Sequence, residues 1–241
     1  MSRWPARYLG WMARDLALGP GWLVVGVIAV VTFVVSRAPQ EISNARDAAR
    51  LFAGVVGGFD WLIILAVTGS MVSGDLGSGV YRTLFTRPVS PALYYLQRWL
   101  LGAVLVALFA VLMALALWPV IGLFPWSWGV FIRLLVLYLL LGGLTFALST
   151  VLRRDWAIAL LILVLQSALH GITAGNDEAS PFTRGVLAVL PPFDRAQIDP
   201  RMNLSVPYLG DLYDALVYGA LLVAVAIVVL SRRPLGSGGR S

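Results

Sequence analysis

Long apolar runs constrain the fold of this chain more than any other feature. Stretches of about 20 apolar residues, each long enough to cross a bilayer, recur along the sequence. Hydrophobic residues make up 59% of the chain and charged residues 12%, whereas soluble domains carry about 25% charged residues. The runs are apolar on all sides and do not alternate with period two, which argues against a transmembrane barrel. The sequence therefore predicts an all-α membrane protein.

We predict one transmembrane domain over residues 21–231, built from six helices. Two longer connections lie outside the runs, at residues 37–50 and 173–211, and residues 232–241 form a polar tail. The predicted spans are Gly21–Ser36, Leu51–Ser73, Leu93–Phe124, Trp128–Leu152, Trp156–Ile172 and Leu212–Leu230.

The distribution of arginine predicts the orientation. Six helices place both termini on one side of the membrane, and that side would hold most of the arginines. Positively charged short loops face the cytoplasm, so we predict a multi-pass protein of the plasma or inner membrane with both termini cytoplasmic. Three acids, Asp15, Asp75 and Asp155, would lie on the cytoplasmic side.

Residues 1–20 precede the first span and are amphipathic. On a helical wheel a basic arc adjoins an aromatic and apolar arc, formed by Arg3, Arg7 and Arg14 and by Trp4, Tyr8, Trp11 and Met12. This pattern predicts an interfacial helix that contacts anionic lipid headgroups. The alternative is a plain anchoring helix.

The composition excludes several chemistries. The chain has no cysteine, which removes thiolate catalysis and thiolate metal sites. All of its basic residues are arginine, so it has no phosphate-loop lysine. A single histidine, His170, makes neither a catalytic triad nor a metal site. We therefore expect no catalytic residue, metal or cofactor in this chain.

A polar segment, residues 74–92, separates the second and third apolar runs. From Asp75 it reads DLGSGVYRTLFTRPVS. Three glycines, Gly74, Gly77 and Gly79, are expected to end the second helix and turn the backbone. Val80–Phe85 can then form one or two helical turns before Pro88, which cannot continue a helix.

This short helix would present an interface to a partner. Tyr81, Leu84 and Phe85 would share one face, with Arg82 beside them. Aromatic and arginine side chains are frequent energetic anchors of protein interfaces. The alternative is an ordinary cytoplasmic loop.

The segment resembles the cytoplasmic coupling segment of ABC transporter permeases of the type-2 exporter family. The matching positions are Asp75, Gly79, Arg82, Leu84, Phe85, Pro88, Val89, Ser90 and Tyr94. Val80 stands where threonine or serine is usual, and Pro91 where arginine is usual. The resemblance implies that the segment docks on an ATPase subunit, and that Asp75, Gly79, Tyr81, Arg82, Leu84, Phe85, Pro88, Val89 and Ser90 form the coupling site.

Asp60 lies deep within the second predicted span, nine residues after Leu51. A charge at such a position is costly and usually faces the bundle interior with a partner. Arg133, near the outer end of the fourth span, is a candidate partner. The pair is a candidate for the translocation path. The alternative is a structural acid.

Residues 173–211 form a predicted outer segment rich in proline and acid. The resemblance implies short helices that close the pathway on the outside. A solvated loop is the alternative.

These features favour the permease subunit of an ATP-driven exporter. Its implied partners are a cytoplasmic ATP-binding subunit, which would hold ATP and Mg, a second permease copy or related permease, and membrane lipid, but no nucleic acid. A non-transporting anchor or scaffold of a larger complex, for example a respiratory or photosynthetic one, is the main alternative. A lipid-acting membrane enzyme is a weaker one, because the loops lack a clustered catalytic set.

Overall fold

The computed structural model describes residues 6–37, 42–69, 71–78, 90–173, 185–186, 190–198 and 204–232. These residues form helices and irregular connections, without a strand, so the all-α prediction is confirmed for them. We number the helices α1 (Ala6–Leu18), α2 (Pro20–Arg37), α3 (Ala45–Thr68), α4 (Ser73–Ser78), α5 (Pro91–Ile121), α6 (Trp128–Ser149), α7 (Asp155–Thr173), α8 (Phe193–Ala196) and α9 (Leu209–Arg232).

Among the described residues, five helical stretches are long and apolar enough to cross a membrane. They are α2, α5, α6, α9 and the stretch Ala45–Gly77 that contains α3 and most of α4. Helix α7 has 19 residues, but its apolar part, Asp155–His170, is shorter than the other spans. The sixth span therefore stays a prediction.

Helix α3 begins six residues before the predicted Leu51, at Ala45. Asn44 caps it by accepting a hydrogen bond from the Asp47 backbone N–H at 3.0 Å, and its side-chain amide donates to the Asp47 carboxylate at 2.8 Å. A cap of this kind satisfies backbone donors that the first turn leaves unpaired. Asp60 consequently lies 15 residues, about 22 Å, from the start of the helix.

The second span also ends differently from the prediction. It was expected to continue to Ser73 and to be released by Gly74, Gly77 and Gly79, but α3 ends at Thr68 and Gly69 is extended, with ψ at 138°. Gly74 and Gly77 instead belong to helix α4. Gly69 fits this turn because a Cβ there would lie 2.6 Å from the Leu65 carbonyl oxygen and 3.1 Å from Trp156 Cβ.

Helix α5 starts with the sequence Ser90-Pro91. Ser90 is the N-cap residue and Pro91 occupies the first turn, where a missing N–H costs nothing and the fixed φ suits the helix. At the other end Gly122 adopts a left-handed φ of 77° and its N–H bonds to the Trp118 carbonyl oxygen at 2.9 Å.

Helices α3 and α6 form the centre of the bundle, and α2 and α9 are its least buried spans. Helix α6 contains one π-helical turn, Tyr138–Gly142. Around it the Tyr138 hydroxyl donates to the Trp99 carbonyl, and the Thr145 hydroxyl donates to the Thr68 hydroxyl at 2.7 Å. These buried hydrogen bonds join α6 to Trp99, near the start of α5, and to Thr68, the last residue of α3.

Large apolar side chains cover much of the outer surface of the described helices. They are frequent on α2, α5 and α9, and examples include Phe33, Val104 and Leu221, each about 60% exposed. Soluble monomers rarely expose so continuous an apolar surface. The surface is therefore compatible with a membrane-embedded protein.

Candidate functional site

Arg98, in the second turn of α5, joins three parts of the chain at one end of the bundle, here called the Arg98 end. Its Nη1 donates to Asp75 Oδ2 at 3.1 Å and to the Met71 carbonyl oxygen at 3.3 Å. Its Nη2 donates to Asp15 Oδ2 at 3.1 Å. The guanidinium therefore connects α5 both to the α3–α4 junction and to α1.

The two ion pairs of Arg98 differ in exposure. The side chains of Arg98 and Asp75 are 18% and 17% exposed, whereas that of Asp15 is 50% exposed. Water screens the Asp15 pair more strongly, so it is the weaker of the two. Asp75 also interacts with Tyr95 of α5, which is fully buried.

A third acid lies at the same junction. Asp155, the first residue of α7, is buried and accepts a hydrogen bond from Ser73 Oγ at 3.3 Å. All three acids predicted on the cytoplasmic side therefore take part in contacts at the Arg98 end. Asp15 and Asp75 pair with Arg98, and Asp155 accepts a hydrogen bond from Ser73. The residues immediately before Asp155, Arg153 and Arg154, are exposed.

Helix α1 packs on the bundle and does not stand apart from it. Met12 and Leu16, one turn apart, are buried, while Trp11 and Leu18 are exposed. Helix α1 contacts both α2 and α5. Apolar packing and the Asp15–Arg98 pair together hold this helix in place.

The structure describes the two ends of the predicted coupling site, and both are at the Arg98 end. Asp75 is in α4, and Ser90, which is exposed, caps α5. The remaining predicted coupling residues fall outside the described part of the chain; these are Gly79, Tyr81, Arg82, Leu84, Phe85, Pro88 and Val89.

The predicted pair of Asp60 and Arg133 is not joined by an ion pair. Asp60 is buried in α3, and its carboxylate accepts a hydrogen bond from the backbone N–H of Trp61. Arg133 donates instead to the Arg195 carbonyl oxygen at 3.2 Å. The structure thus places the two residues in central helices without bringing their charges together.

Residues 190–198 and Leu204 of the predicted outer segment pack on the bundle at the end opposite Arg98, here called the Asp194 end. Phe193, Ala196 and Ile198 are buried. A Cβ on Gly57 of α3 would lie 2.6 Å from the Ile198 carbonyl oxygen, so the backbones approach closely there. We call these packed residues the cap, and closure of a pathway by the outer segment stays a prediction.

Polar side chains fasten this cap to α6 and α7. The buried Gln166 donates to Asp194 Oδ1 at 3.0 Å, and Ser127 Oγ donates to the Leu204 carbonyl oxygen at 2.8 Å. Asp60 lies one helical turn from Gly57 toward the Arg98 end, and therefore beneath the cap.

Sequence reasoning missed Arg98 as a functional candidate. It lies 23 positions after Asp75 and 83 after Asp15, so no local spacing connects the three residues. A weak signal was present, since few acids fall on the predicted cytoplasmic side and each needs a cation or a donor when it is partly buried.

No family model and no curated protein matches this sequence. Among the described residues, no group of three or more His, Cys, Asp or Glu side chains is placed to hold a metal ion. The Arg98 end is built from ion pairs and hydrogen bonds between helices, an arrangement suited to holding helices together and transmitting movement.

Proposed function

We propose that this chain is the membrane-spanning permease subunit of an ATP-driven exporter, with the ATPase carried by a separate cytoplasmic subunit. Segment 79–89 is the docking site for that subunit. The observation that carries the proposal is the Asp75–Arg98 ion pair, which ties the helix before this segment to the helix after it.

The ion pair matters because of how a docked partner would act. A force applied to segment 79–89 reaches the bundle through α4 and through the first turns of α5. The pair between Asp75 and Arg98 makes these two elements respond together, and Ser73 passes the movement to Asp155 of α7. The residue types at positions 81, 82, 84 and 85 supply aromatic, arginine and apolar anchors for the partner.

In this mechanism, ATP binding closes two ATPase subunits and moves the docked segments of two permease copies. Helices α3 and α5 then move together with α6, whose Tyr138 and Thr145 donate hydrogen bonds to them near the Arg98 end. The cap at the Asp194 end covers the pathway until that movement opens it. Residues of this chain bind and move, and make no covalent bond to the substrate.

Copurification tests the proposal. A tagged chain is extracted in mild detergent from its native membrane, and the copurifying proteins are identified by mass spectrometry. We expect a stoichiometric subunit that hydrolyses ATP and carries a phosphate-loop lysine. The double variant Arg82→Glu with Phe85→Ala should lose most of that subunit.

A matched double variant controls for general effects of charge reversal and aromatic truncation. Arg46→Glu with Tyr208→Ala makes the same changes at two exposed positions near the opposite end, and it should retain the subunit. Equal recovery of the ATPase with both double variants would overturn the docking site. A haem- or pigment-bearing partner without an ATPase would support the anchor or scaffold instead.

A further inference from the structure

We infer that Arg98 is a positioning residue that divides its guanidinium between two elements: Nη1 holds the entry to segment 79–89, and Nη2 holds the interfacial helix α1. The inference rests in part on the proposed function, in which segment 79–89 is the docking site. Through Arg98, helix α1 would give that segment a second connection, to the membrane surface. It identifies α1 as a helix linked to the coupling segment through one side chain.

The contacts of Nη1 favour a permanent attachment. This nitrogen bonds to the Asp75 carboxylate and to the Met71 carbonyl oxygen, and both charged side chains are less than one-fifth exposed. Charges that are largely shielded from water interact more strongly and are screened less by salt. Helix α4 is therefore expected to stay with α5.

The contact of Nη2 favours a releasable attachment. This nitrogen bonds to the Asp15 carboxylate, which is half exposed, so water can replace Arg98 at this carboxylate at small cost. Met12 and Leu16 are buried beside it, which keeps α1 near the bundle when the ion pair opens. Helix α1 is thus free to change its angle while α4 remains fixed.

Bonding to α4 and to α1 at the same time requires the two terminal nitrogens of a guanidinium. Its two terminal nitrogens reach two carboxylates at 3.1 Å each. A lysine ammonium is a compact point charge without that fork. Arg98→Lys is therefore expected to keep the more shielded Asp75 contact and to lose the Asp15 contact.

Spin-label distances test the inference directly, and the absence of cysteine allows labels at chosen sites. Gly10 on α1 and Gly77 on α4 are exposed, and an added Cβ at either meets no atom within 4 Å. Leu93 on α5 is 40% exposed and serves as the common reference. The pairs Gly10→Cys/Leu93→Cys and Gly77→Cys/Leu93→Cys report on α1 and on α4.

The expected pattern distinguishes the two halves of the guanidinium. Asp15→Asn and Arg98→Lys should broaden the α1–α5 distance distribution and leave α4–α5 unchanged. Asp75→Asn should broaden α4–α5, and Arg98→Gln should broaden both. In the unsubstituted background, raising the salt from about 0.1 M to about 1 M, where the screening length falls from ~10 Å to ~3 Å, should broaden α1–α5 first.

Unchanged distributions in Arg98→Gln would overturn the inference, and so would an equal effect of Asp15→Asn on both label pairs. A monodisperse elution profile in detergent checks folding. If Arg98→Gln does not meet that criterion, Asp15→Asn and Asp75→Asn decide, since each removes a single charge.

The distances need no ATPase, so this test is independent of the proposed function. The expected distance pattern without any copurifying ATPase would leave the role of Arg98 standing and remove the exporter proposal. A stoichiometric ATPase together with unchanged distances would support the exporter proposal and overturn the role of Arg98.

Discussion

The two ends of the bundle are held together by different interactions. At the Arg98 end, side chains far apart in the sequence meet as ion pairs, and one arginine serves two acids. At the Asp194 end, buried apolar residues and a close backbone approach at Gly57 hold the cap. Two of its polar contacts, Arg133 to Arg195 and Ser127 to Leu204, end on backbone carbonyl oxygens, and a third joins the Gln166 amide to the Asp194 carboxylate.

This difference separates an end suited to movement from an end suited to closure. The exposed ion pair of Asp15 contributes little net free energy, about 0–1 kcal/mol, and water can substitute for either partner, whereas the shielded Asp75 pair keeps α4 on α5. A packed cap loses dispersion contacts as soon as a gap opens. The proposed mechanism uses both properties, because the partner acts at the Arg98 end while the Asp194 end covers the pathway.

The largest expected effect is at the cap. In Gly57→Ala, the new Cβ would lie 2.6 Å from the Ile198 carbonyl oxygen and 3.1 Å from its Cβ, and overpacking of this kind costs about 1–3 kcal/mol. For a chain of this size each 1 kcal/mol lowers the unfolding midpoint by roughly 2–4 °C. Thermal unfolding in mild detergent measures the loss.

Gly58→Ala is the matched control for Gly57→Ala. It makes the same change one residue away, where an added Cβ meets no atom within 4 Å, so its midpoint should equal or exceed that of the unsubstituted protein. Equal midpoints for the two variants would contradict the close packing of the cap.

A smaller loss is expected from Asp75→Asn at the Arg98 end. The substitution keeps a hydrogen-bond acceptor but removes the charge opposite Arg98, and we expect a loss of about 1 kcal/mol in the free energy of unfolding. Asp214→Asn, at an exposed position of α9, should change stability much less. An unfolding midpoint for Asp75→Asn as high as that of the Asp214 variant would show that the Asp75–Arg98 ion pair does not stabilise the protein.

The smallest effect is expected from Asp15→Asn. Its ion pair is half exposed, so we expect less than about 0.5 kcal/mol at low salt and almost none at high salt. Unfolding midpoints measured at both salt concentrations check this. A loss that is as large at high salt as at low salt would show that Asp15 acts through packing and not through charge.

The sequence allowed the helices to be predicted well where bilayer length and apolar composition define them. Helix α2 begins one residue earlier and ends one residue later than predicted, and α6 begins at the predicted Trp128. The start of α3 was missed because its first two turns carry Arg46, Asp47 and Arg50, which interrupt the apolar run. The Asn44 cap with Asp47 three residues later was a usable signal for the true start.

The candidate site was only partly predictable. Asp75 and Ser90 were predicted as coupling residues from the resemblance of segment 74–92, and that role stays a prediction. The contacts of Arg98 depend on how α1, α4 and α5 pack, which no local pattern encodes. Asp60 and Arg133 were paired by charge alone, and the structure gives Arg133 a backbone carbonyl instead.

Site-specific crosslinking tests the central claim most directly. A photo-crosslinking amino acid placed at Phe85 in the full chain, in its native membrane, is compared with the same group at Tyr208, which is 83% exposed near the other end. We expect a crosslink from position 85, and none from position 208, to a protein that hydrolyses ATP. Crosslinks from position 85 that reach only lipid, or a partner without ATPase activity, would contradict it.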